Sequence, residues 1–136
     1  MIVLFRARYQ VTELRRTVLL VDNDDGFLRA VTTRLEHEGF RVLTATTGAQ
    51  ALGVYRDGNV DAIITDLNMP SGDGVTLAKS IRAVGDEPIV VVTGFEAVFQ
   101  TELLDILGVE VLQKPFEFER LLEVLNSEIG IASRDL

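Results

Sequence analysis

Four short polar stretches stand out in the chain, each just behind an apolar run. Asp22-Asn23-Asp24-Asp25 clusters carboxylates with an amide. Asp66 is a single carboxylate followed by Leu67-Asn68-Met69-Pro70. Thr93-Gly94 contributes a hydroxyl, and Gln113-Lys114-Pro115 contributes an ammonium. Clustered carboxylates and amides are hard oxygen donors suited to Mg²⁺. A divalent cation offsets their repulsion and neutralises an incoming phosphoryl group. A carboxylate beside such an ion can act as a nucleophile toward phosphorus. Thr and Lys then provide a hydrogen-bond donor and a cation for the phosphoryl oxygens. Taken singly, each piece has an ordinary structural explanation. An acidic turn caps the next helix, Thr is a good strand residue, and Lys-Pro is a common loop. The force of the set lies in its convergence.

Convergence requires elements that bring the four stretches to one edge. Thr17 to Val21 is a short apolar run ending in turn formers, which predicts a buried strand. Phe27, Leu28, Val31 and Leu35 follow at helical spacing, with Asp25 as the expected N-cap and Gly39 as the stop. Further strands are predicted over 40–45, 62–65, 88–93 and 109–112. Helices are predicted over 49–56, 75–84, 96–107 and 118–129. The inner face of the 49–56 helix is Ala51, Leu52 and Tyr55. Leu121, Leu122, Leu125 and Ile129 face inward in the last helix. Strands alternating with helices imply a parallel sheet covered on both faces, and right-handed crossovers make it doubly wound. Ligands of such sheets bind beyond the carboxyl ends of the strands. All four polar stretches fall at predicted carboxyl ends.

The composition supports one domain. The chain has 136 residues, of which 47% are hydrophobic, enough for a core. No apolar run approaches the ~20 residues of a membrane-spanning helix, so no membrane insertion and a cytoplasmic location are expected. Cysteine is absent, which excludes disulfides and thiolate catalysis. A net charge of −8 opposes direct contact with nucleic-acid phosphates. Arg6, Arg8, Arg15 and Arg16 read as a solvated segment. His37, the only histidine, stands near a helix end and reads as structural.

The stretch Asp66-Leu67-Asn68-Met69-Pro70-Ser71-Gly72-Asp73-Gly74 resembles the D-x-x-M-P-x-x-D-G signature of the receiver domains of two-component response regulators. TVLLVDND resembles their first strand with its acidic pair, VVVTG their fourth strand, and VLQKPF the Lys-Pro-Phe end of their fifth. The likeness runs from Thr17 to about Ile129. It implies a flavodoxin-like (βα)5 fold of five parallel strands in the order 2-1-3-4-5. The receiver domain would cover 17–130, after an N-terminal extension of 1–16 and before a tail of 131–136.

The resemblance also implies roles. Asp66 is the phosphoacceptor, supplied by a sensor histidine kinase or a histidine phosphotransfer protein. Asp22, Asn23, Asp66 and the Asn68 backbone carbonyl hold Mg²⁺. Thr93 and Lys114 bond the phosphoryl oxygens, and the Lys114–Pro115 bond is cis. A downstream protein would read the face of the 96–107 helix, the fifth strand and the last helix. After Ile129 too few residues remain for an output domain, so the chain reads as a stand-alone regulator or as the receiver of a longer one.

Two departures stand out. Asn23 replaces an acidic residue and removes one negative charge from the metal site. Val111 stands where the family usually places a rotating aromatic, so readout is expected through Phe95 or the loop after it. Phe95 is also expected to influence phosphoryl lifetime. The apolar residues Val98, Phe99, Leu103, Leu104, Ile106 and Leu107 fit either a helix packed on the sheet or an exposed partner or homodimer surface. Two other readings compete. One is a pseudo-receiver acting as a constitutive interaction module. The other is a haloacid-dehalogenase-like phosphatase, with Asp22 as nucleophile and Asp24 as acid/base.

Overall fold

A computed structural model describes residues 15–69, 74–94 and 108–134, the side chains of 131–134 excepted. The elements are β1 (Thr17–Val21), α1 (Asp25–His37), β2 (Arg41–Ala45), α2 (Gly48–Asp57), β3 (Ala62–Asp66), α3 (Gly74–Arg82), β4 (Ile89–Thr93), β5 (Glu110–Gln113) and α4 (Phe118–Arg134). The five strands form one sheet in the order β2-β1-β3-β4-β5. Every neighbouring pair is parallel. This is the doubly wound order expected. The helix predicted over 96–107, with its apolar residues, lies outside the described residues. So do Phe95, the 70–73 part of the signature stretch, and residues 1–14.

The core has two layers because strand side chains alternate. Leu19, Val21, Ile63, Ile89 and Val91 lie on one face of the sheet with Ala51 of α2 and Leu77, Ala78 and Ile81 of α3. Val18, Leu20, Ile64, Val90 and Val92 lie on the other, with Leu28, Val31 and Leu35 of α1 and Leu121 and Leu125 of α4. Central strands β1 and β4 are buried along their whole length. Edge strand β2 is mostly open. Runs without polar alternation are what a sheet covered on both sides requires.

Several boundaries differ from the sequence reading. Asp24, not Asp25, caps α1: it is extended at φ −94° and ψ 107°, and its side chain accepts from the N–H groups of Gly26 and Phe27. Phe40 precedes β2 because its N–H closes the end of α1 on the Leu35 carbonyl at 3.1 Å. Gly39, at φ 98°, makes that reversal. In α2 only Ala51 is fully buried, while Leu52 and Tyr55 are half-buried against the core. α3 ends at Arg82, leaving Val84 72% exposed. β5 runs one residue later than expected, and α4 continues past Ile129 to Arg134.

Candidate functional site

The carboxyl ends of β1, β3, β4 and β5 meet at one edge of the sheet. Asp22 follows β1, and its N–H donates to the Ala45 carbonyl at 3.1 Å, which anchors the turn to the end of β2. Its side chain is only 1% exposed. One carboxylate oxygen accepts the Asp24 N–H at 2.9 Å, and the other accepts from Lys114 Nζ at 3.0 Å. Lys114 reaches the site because its own N–H donates to the Thr93 carbonyl at 2.7 Å, continuing the ladder past β5. The Lys114–Pro115 bond is cis, as the resemblance implied.

Asp66 is the last residue of β3. Its carboxylate lies 3.8 Å from Lys114 Nζ and accepts the Asn68 N–H at 3.3 Å. Burial raises its pKa above the ordinary value. The Lys114 charge opposes that rise, the Asp22 charge adds to it, and the Asn68 and Leu67 N–H groups oppose it. One ammonium thus stands between two carboxylates from different strands. Thr93 closes β4 beside them and is 4% exposed. Its hydroxyl has no hydrogen-bond partner among the described residues. A buried hydroxyl without a partner is costly unless something binds it.

The expected metal donors fall in the same place. Asn23 is exposed next to Asp22, and Asn68 is exposed two residues from Asp66. Two carboxylates flanked by an amide and a loop backbone form a hard-oxygen set that fits a Mg²⁺ ion. Among the described residues no group of three or more His, Cys, Asp or Glu gathers as a metal site. Asp24 Oδ1 caps α1, accepting from the N–H groups of Gly26 and Phe27. Val111 is half-buried against the core beside β4. His37 is exposed in the last turn of α1.

Two contributors escaped the sequence reading. Gly74 abuts the site from below: a Cβ there would stand 2.2 Å from the Asp66 carbonyl oxygen. Its place in the signature stretch was the available signal. Phe27 was read as a core residue of α1, yet its ring centroid lies 4.4 Å from Lys114 Nζ. No spacing rule could announce a contact between residues so distant in the chain.

The family model for the response regulator receiver domain matches residues 18–126. The response regulator MprA of Mycobacterium sp. (strain KMS) is 31% identical over 120 residues, covering 87% of this chain and 52% of that protein. The chain therefore spans about half the length of this relative. A receiver domain structure from Clostridium thermocellum superposes with a TM-score of 0.85 at 24% identity, covering 89% of this chain and 99% of that one. A response regulator receiver protein from Pseudomonas putida does so at 0.78 and 30% identity, covering 84% and 98%. Among the described residues no helix is long and apolar enough to cross a membrane. The chain belongs to the response regulator receiver domain family, a domain of two-component signalling.

Proposed function

We propose that this receiver is switched by phosphorylation of Asp66, with a phosphohistidine of a sensor kinase or phosphotransfer protein as donor and Mg²⁺ as cofactor. The observation that carries the reading is the Lys114 ammonium, held 3.0 Å from Asp22 and 3.8 Å from Asp66 at the carboxyl edge of the sheet. An Asp66 oxygen attacks phosphorus, the N–P bond breaks, and the imidazole leaves with the electron pair. Lys114 exchanges a carboxylate contact for a phosphoryl oxygen. Among the described residues the Thr93 hydroxyl has no partner, which suits it to a phosphoryl oxygen. Asp22, Asn23, Asp66 and the Asn68 carbonyl would hold the Mg²⁺, which when bound offsets the negative charge of carboxylates and phosphoryl group.

The test is incubation with acetyl phosphate and Mg²⁺, followed by peptide mapping. One phosphoryl group is expected on Asp66, and none in Asp66→Asn. Modification of Asp22 instead would overturn the assignment. The pseudo-receiver is the second reading, favoured by the lost carboxylate at Asn23 and by Val111. An NMR titration with Mg²⁺ and beryllofluoride decides between them. Shifts around Thr93 are expected, and their absence at millimolar Mg²⁺ would favour the constitutive module.

A further inference from the structure

The Lys114 ammonium has a third neighbour besides its two carboxylates. The Phe27 ring covers it with the centroid 4.4 Å from Nζ. Phe27 is itself braced: the Phe116 ring meets it edge-on, centroids 6.3 Å apart and planes at 80°. Phe27 comes from the first turn of α1, just after the turn that carries Asp22, and Phe116 from the loop between β5 and α4 that also carries Lys114. Phe27 and Phe116 are both half-buried, so the pair sits at the rim of the site rather than deep in the core. Lys114 keeps 29% of its side-chain surface. An ammonium so placed has three claims on it: one fully buried carboxylate, one mostly buried carboxylate and an aromatic face.

We infer that Phe27 is a positioning residue for Lys114, holding the ammonium over the Asp66 carboxylate while it exchanges a carboxylate for a phosphoryl oxygen. The reasoning is electrostatic. A lysine side chain has several free rotations, and ordering it costs entropy. The negative face of the ring attracts the charge without competing for the phosphoryl oxygen, because it occupies a direction that no anion takes. The ring also excludes water from one side of the ammonium, which strengthens its remaining contacts. A leucine would fill similar space but supply no negative face. The inference rests on Asp66 being the phosphoacceptor.

Beryllofluoride affinity in saturating Mg²⁺ separates the possibilities. Phe27→Leu is expected to weaken it about five-fold, the ~1 kcal/mol of an ammonium over an aromatic face. Phe27→Tyr should restore it, since the phenol ring keeps the negative face. In a Lys114→Ala background Phe27→Leu should add nothing further. Equal affinity of wild type and Phe27→Leu, or an undiminished loss in the Lys114→Ala background, would overturn the inference and leave the phosphoacceptor reading intact. Failure of the wild-type chain itself to take up beryllofluoride would overturn both. A direct measurement independent of folding variants is the NMR position of the Lys114 Hε protons in the wild type. The ring is expected to shift them upfield, and ordinary lysine positions would also refute the contact.

Discussion

At the scale of single residues, charge and burial decide the behaviour of the site. At the proposed Mg²⁺ position Asn23 offers an amide oxygen where the family resemblance implies a second carboxylate. Asn23→Asp is expected to tighten Mg²⁺ binding by about tenfold, since an exposed carboxylate adds Coulomb attraction at modest desolvation cost. Isothermal titration with Mg²⁺ measures it, and an unchanged affinity would show that position 23 does not face the ion. Away from the site, the Tyr55 hydroxyl donates to Glu87 at 2.6 Å. Burial, then that hydrogen bond and the Glu87 charge, push the phenol from 10.0 up to about 12, against the opposing Arg82 charge. A raised phenol pKa means that the fold favours the neutral form. The stability this contributes is whole below pH 10, declines between pH 10 and about 12, and is gone above. Ultraviolet titration in a Tyr9→Phe background should show the late ionisation. Glu87→Gln should move it back toward 10.

At the scale of elements, the site depends on how closely α3 approaches the end of β3. The Gly74 N–H donates to the Leu67 carbonyl at 2.8 Å, and a Cβ on Gly74 would lie 2.2 Å from the Asp66 carbonyl and 2.9 Å from the Leu67 Cα. Backbone cannot yield as a flexible side chain can. Gly74→Ala is therefore expected to cost about 2 kcal/mol and to slow acetyl phosphate labelling, because α3 or Asp66 must shift. Chemical denaturation and the labelling rate check the two effects. Normal values for both would mean that α3 moves away freely. The cap of α1 illustrates a second point at this scale. Four residues of similar chemistry follow β1, and only local backbone geometry separates Asp22, turned into the site, from Asp24, turned onto the helix.

At the scale of the whole molecule, two apolar layers hold the sheet so that four strand ends stay in register. Leu121 is fully buried in the layer shared by α1 and α4, far along the chain from the first strand it helps to cover. Leu121→Ala should cost about 3 kcal/mol through lost burial and the cavity left behind. The thermal midpoint would report it, and a loss below about 1 kcal/mol would mean that the layer collapses around the gap. The alternation of apolar runs and amphipathic stretches determined this architecture on its own, because burial on both faces leaves a sheet strand few polar positions. The four polar stretches at strand ends were legible for the same reason. Local signals placed boundaries less well: Asp25 was the expected cap where Asp24 does the capping, and Phe40 was expected in the strand, whereas its N–H closes α1. What only the tertiary structure decided is the partnership at the edge. Lys114 bridges Asp22 and Asp66 under the ring of Phe27, a meeting of three chain-distant segments. No periodicity encodes it, since sheet order and helix approach set those distances after the chain has folded.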